Sequence, residues 1–67
     1  MYAAEIKGTA DYGFWGELKN FRIVAESKES FEDAEAQART KAFRLYGAID
    51  SDIHTVTSIW REPMYGY

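Results

Sequence analysis

Apolar and polar positions change period twice along this chain, and the changes mark its elements. Tyr2, Ala4, Ile6 and Gly8 alternate with Ala3, Glu5, Lys7 and Thr9, the period of two that a strand requires. Asp11 to Gly16 breaks the alternation. There Gly13 and Gly16 bracket Phe14 and Trp15, which predicts a turn or bulge that either presents the rings or tucks them against the end of a small core. A second strand follows, beginning somewhere within residues 15–20. It sets Phe21, Ile23 and Ala25 on one face, with Arg22, Val24 and Glu26 on the other.

The period then lengthens. Ser30 is placed to cap a helix, with Asp33 at the position from which a carboxyl reaches back to the cap amide. Glu32, Asp33 and Glu35 put negative charge at the positive end of the helix dipole. At about 100° per residue, Phe31, Ala34, Ala38, Ala42 and Leu45 form one stripe, with Tyr46 at its margin and Ala36 and Phe43 on a flank. Small alanines on that stripe let the helix lie close to a sheet. Glu35 and Arg39 form a favourable pair one turn apart, and Arg39, Lys41 and Arg44 suit the negative end of the dipole. Gly47 supplies the left-handed residue that stops the helix.

After a polar connection over residues 48–52, the run 53–61 is β-branched and aromatic and predicts a third strand. Its two faces compete: Ile53, Thr55, Thr57 and Ile59 against His54, Val56, Ser58 and Trp60. A bulge that turned Val56 and Ile59 to the same side would resolve the competition. Pro63 ends the strand and residues 63–67 read as a tail. The expected fold is therefore α+β: a single domain of β-β-α-β order, with one helix on one face of a three-stranded, mainly antiparallel sheet. The opposite face stays open. If the helix returned the chain parallel to the first strand, that connection would be a right-handed crossover.

Composition narrows the function. A chain of 67 residues buries roughly 60% of its unfolded surface, so it is marginal on its own, and with no cysteine it has neither disulfide nor thiolate metal site. Aromatic residues make up 16% of it, more than one helix and a small sheet readily cover, so some rings are expected near the surface. A formal charge of −3 is opposite in sign to that of a general nucleic-acid binder, for which only Lys7, Arg22 and Arg61 are in place as cations. The same charge counts against stacking of single-stranded bases on sheet aromatics. The chain contains no apolar run long enough to span a membrane, and Met1 to Glu5 does not resemble a signal peptide, so a cytoplasmic protein is expected.

No catalytic constellation emerges. His54 is the only histidine and the chain has no cysteine, so a metal site would need several carboxylates around a lone imidazole, and His54 reads as a strand-surface residue. Gly13 to Gly16 lacks the lysine and hydroxyl of a phosphate loop. The expectation is a non-enzyme without cofactor or metal. Two groups of residues suit protein binding. One is aromatic: Tyr12, Phe14 and Trp15 on the loop, with Trp60 and Arg61 on the last strand, residue types that dominate interface hot spots. The other is acidic, centred on Glu29 and Glu32 with Glu26, Asp33 and Glu35. Helix-start chemistry explains most of these acids, and together they would also steer a basic partner.

The run Ile23-Val24-Ala25-Glu26 to Ser30-Phe31-Glu32-Asp33-Ala34, followed by Thr55-Val56-Thr57-Ser58-Ile59, resembles very small bacteriophage proteins that disable host machinery. Among these are the T7-type inhibitors of host RNA polymerase and some small anti-CRISPR proteins. The resemblance spans roughly residues 21–63 and implies non-catalytic blocking of a larger host protein in a bacterial cytoplasm. Arginines on the last strand matter in the polymerase inhibitors; only Arg61 falls on such a position, where Ser58 and Ile59 occupy the neighbouring slots. The alternative is a self-associating structural or accessory phage protein, a homodimer paired through an open sheet face or edge.

Overall fold

The structure, a computed structural model, describes residues 1–12 and 16–62. Strand β1 (Tyr2–Asp11) and strand β2 (Leu18–Ser27) form an antiparallel hairpin, helix α1 (Phe31–Tyr46) crosses one face, and a short 3-10 turn (Asp50–Asp52) leads into strand β3 (Ile53–Trp60). Strand β1 lies in the middle, with sheet order β2-β1-β3. Both neighbours run antiparallel to it, so the helix returns the chain antiparallel to β1 and not parallel. Consequently β2 and β3 are parallel to one another with β1 between them. The expected α+β fold of β-β-α-β order is the one observed.

Register explains which side is buried. Ala4, Ile6 and Gly8 lie opposite Ala25, Ile23 and Phe21, and directly opposed residues share a face. This is the face that α1 covers: Ile6, Phe21, Ile23, Ala25, Ala38 and Ala42 form one buried cluster. Tyr46, Tyr12 and Ile53 pack against its margin. The contact line on the helix is Ala34, Ala38 and Ala42, all fully buried, continued by Tyr46, whose ring lies 5.4 Å from that of Phe21. Each step of four residues rotates the contact by about 40°, because 3.6 residues make a turn. By the last turn it has moved past Leu45, which is 64% exposed. The stripe expected to end on Leu45 therefore ends on Tyr46.

The helix start follows its chemistry with one change. Ser30 Oγ accepts from the Asp33 N–H at 3.0 Å, as a cap should. The Asp33 carboxylate does not reach back to the cap amide; it accepts from Ser27 Oγ at 2.5 Å and from Gln37 Nε2 at 2.8 Å. Ser27 lies buried at the end of β2, so this bond ties the strand to the first turn of the helix. At the other end Gly47 takes φ 66°, and its N–H donates to the Phe43 carbonyl. Arg39 bridges Glu35 and Asp50 at 2.8 and 2.9 Å, fastening the helix to the turn before β3.

A candidate protein-docking strand

Helix α1 sits over β1 and β2, and β3 is left largely uncovered. All of its residues after Ile53 are exposed, including the apolar Val56, Ile59 and Trp60. Tyr2, Ala4 and Ile6 of β1 lie opposite Trp60, Ser58 and Val56, which places those three β3 residues on the helix side. Ile59 lies opposite Ala3 and so faces the other way. The irregularity in β3 falls between its pairings with Lys7 and Gly8, at His54. There it turns Ile53 and Val56 to the same side, whereas the bulge expected from the sequence was to have joined Val56 with Ile59. The His54 ring stays on the open face, with Nε2 3.0 Å from Thr9 Oγ1. One bulge thus sets Ile53 against the margin of the core, while the rest of the strand is exposed.

Backbone polarity of β3 can be read from its end. Arg61 and Met1 exchange backbone hydrogen bonds in both directions, so Arg61 points its N–H and carbonyl toward β1. Antiparallel pairs alternate, so Ile59, Thr57 and Thr55 do likewise, and Trp60, Ser58 and Val56 point theirs away from the sheet. Among the described residues, no hydrogen bond uses these outward groups. The opposite edge differs. On β2 the Asn20 carbonyl accepts from the Tyr12 hydroxyl at 2.5 Å, and the Val24 carbonyl accepts from Lys41 Nζ at 3.4 Å. Charged Lys19, Arg22 and Glu26 line the same strand, the usual protection of an edge. From residue 53 to 60, β3 carries no Lys, Arg, Asp or Glu.

The predicted binding residues divide between the two ends of the sheet. Trp60, 53% exposed, meets Tyr2 edge to face at 4.9 Å, and Tyr2 meets Phe31 at 4.8 Å. Arg61 reaches Glu26 at 3.4 Å. Exposed Glu29 and Glu32 flank Phe31 at that same end. Tyr12 stands at the far end of β1 and packs on Tyr46 at 4.5 Å. Ten residues of strand at about 3.4 Å each separate it from Trp60 by roughly 30 Å. Trp60 on the helix side and Arg61 on the open face therefore stand at the same end of the sheet as the acidic group, and Tyr12 does not. Phe14 and Trp15 lie outside the described residues. The free backbone edge of β3 was not singled out from the sequence, although the absence of charge from 53 to 60 was a usable signal.

On the open face, Glu5 accepts from Arg22 at 2.5 Å and pairs with Lys7 at 3.6 Å. The Arg22 hydrogen bond, followed by the charges of Arg22 and Lys7, holds the Glu5 carboxyl below the usual carboxylate range. The Ser27 hydroxyl and then the Gln37 amide do the same for Asp33. A depressed native pKa stabilises the fold above the unfolded value, near about 4, and that contribution is lost as the pH falls through the native value. Thermal unfolding should accordingly be level between about pH 5 and 7 and decline below about pH 4. Glu5→Gln should flatten the decline; an equally steep decline would remove Glu5 as a contributor.

Among the described residues, no helix is long and apolar enough to cross a membrane, and no group of three His, Cys, Asp or Glu could hold a metal ion. Concave regions among the described residues are shallow; one is a groove beside the end of α1 that includes Phe43, Ile49 and Asp50. No protein-family model, curated protein or solved structure matches the chain, so a functional reading rests on the geometry of β3 and its surroundings.

Proposed function

We propose that this protein is a non-catalytic protein-binding module that docks through β3, encoded by a bacteriophage and inhibiting or modulating a larger host protein in the bacterial cytoplasm. The observation that carries the docking surface is the uncovered β3: an edge whose outward backbone groups are unused among the described residues, beside the exposed Trp60 and Arg61. An added strand gains main-chain hydrogen bonds there, and side-chain contacts on alternate positions give selectivity. The neighbouring acids Glu26, Glu29 and Glu32 favour a partner with a basic rim. The phage setting and the host target rest on the resemblance in layout to small host-takeover proteins. Affinity capture from a bacterial lysate, read by mass spectrometry, tests the reading. The native chain should retain one dominant host protein, and Trp60→Ala combined with Arg61→Ala should lose it with an unchanged circular dichroism spectrum. Equal capture by both proteins would overturn the assignment.

A further inference from the structure

The edge that the proposed function uses is self-complementary, and this property points to a specific occupant. We infer that, without another partner, β3 pairs antiparallel with β3 of a second copy about a two-fold axis through Ser58. The inference rests on β3 being the docking edge.

Three observations converge on that register. The regular part of the strand runs from Thr55, just past the bulge at His54, to Arg61, whose backbone still pairs with Met1, and Ser58 is its midpoint. Outward backbone groups belong to Val56, Ser58 and Trp60, a set symmetric about the same residue. A two-fold axis normal to the sheet keeps each face on its own side, so directly opposed residues must come from the same face. Ser58 then meets Ser58, Val56 meets Trp60 of the second copy, and on the open face Thr57 meets Ile59.

Charge agrees with this arrangement. Arg61 is the only charged residue between Thr55 and Arg61, and it falls opposite Thr55, so no like charges face one another. An axis at Thr57 would oppose Asp52 to Glu62 and would centre on a residue whose backbone already serves β1. An axis at Val56 would draw the bulged His54 into the ladder. The β2 edge offers no equivalent, because the Asn20 and Val24 carbonyls are taken and charges line it. Pairing makes one six-stranded sheet with both helices on one side, and it gives each half-exposed Trp60 the Val56 of the second copy as a neighbour. A 67-residue chain without cysteine gains through association the stability it cannot get from covalent staples.

Because the chain has no cysteine, one introduced thiol reports the register. In a hydrogen-bonded antiparallel pair the opposed Cα atoms are about 5.5 Å apart, within the disulfide range of about 4.4–6.8 Å. Purified Ser58→Cys should oxidise to a disulfide dimer. Thr55→Cys should not, since its two copies would lie about 20 Å apart along the ladder. Sedimentation equilibrium between about 1 and 100 µM, the span in which a micromolar dimer assembles, should show the native chain associating. Ser58→Pro should remain monomeric, since it removes an N–H that points away from β1 and spares the internal ladder. A native chain that stays monomeric, or Ser58→Cys oxidising no faster than Thr55→Cys, would overturn the dimer. The locked Ser58→Cys dimer separates this failure from that of the proposed function. It should no longer capture a lysate protein that the reduced chain captures, and undiminished capture would show that other proteins dock elsewhere while the dimer stands.

Discussion

Gly8→Ala should destabilise this protein more than any other single methyl addition to its sheet. A Cβ at Gly8 would lie 2.1 Å from the Asp52 carbonyl oxygen and 2.6 and 2.9 Å from Cζ and Cε2 of Phe21. Neither neighbour can move freely. Asp52 closes the 3-10 turn, where its N–H bonds the Ile49 carbonyl at 2.9 Å and its carboxylate takes the Ile49 N–H at 2.9 Å. Phe21 is stacked against Tyr46 inside the core. Overpacking of this kind costs about 1–3 kcal/mol and sometimes more. For a chain of this length, total stability is on the order of 3–10 kcal/mol, and each kcal/mol shifts the midpoint by about 4–8 °C. A loss of about 10 °C or more in Tm is expected, measured by circular dichroism. Gly47→Ala is the informative contrast: nothing lies within 4 Å of the added carbon, and its cost comes only from φ 66°. A Gly8→Ala protein as stable as the native chain would show that the turn before β3 does not close over β1.

The second large effect belongs to Trp60 and Arg61. Removing both should weaken partner capture by about 30-fold or more, since truncating a hot-spot residue costs about 2 kcal/mol or above. Trp60 qualifies because its indole is exposed yet held. Tyr2 fixes one edge, Phe31 fixes Tyr2, and Phe31 is the first residue of the capped helix. Arg61 is positioned by Glu26 on the open face, at the same end of the edge strand. Fold stability should change little, as neither side chain is buried. Phe43→Ala makes the comparison specific: it removes a ring that is 60% exposed but lies near the end of α1, away from β3, and capture should be unaffected. If Phe43→Ala weakens capture and the double substitution does not, the docking surface lies on the helix.

Much of the architecture was legible because local chemistry and global packing agree. Ser30, the alanine row, Gly47 and the alternation in β1 and β2 each point to the element in which they are found. What escaped was set by tertiary geometry. Leu45 lies on the expected stripe, but the helix crosses the sheet along a row of every fourth residue, and the contact rotates away from it. Asp33 found Ser27 instead of the cap amide because β2 ends beside the first turn, a proximity that spacing does not encode. In β3 neither face won the competition because the helix covers only two strands. Ambiguity in its pattern was a property of the strand itself, since a segment exposed on both faces has no reason to alternate cleanly.

The candidate surface was legible in part for the same reason. Trp60 and Arg61 stood out by residue type, and the structure brings the acids at the helix start to the same end. Tyr12 shared their chemistry but not their place, because a ten-residue central strand lies between them. Glu29 and Glu32 gain interest from standing next to Phe31, Tyr2 and Trp60, while Asp33 is committed to Ser27 and Gln37.

Residue-resolved amide exchange in β3 tests most directly whether this strand is where the protein meets another chain. In dilute solution the amides of Thr55, Thr57 and Ile59 should be protected by β1, while those of Val56, Ser58 and Trp60 exchange rapidly. On raising the concentration, or on adding a captured partner, the second set should slow while β2 is unchanged. Slowing at Asn20, Arg22, Val24 and Glu26 on the other edge, with β3 unaltered, would contradict it.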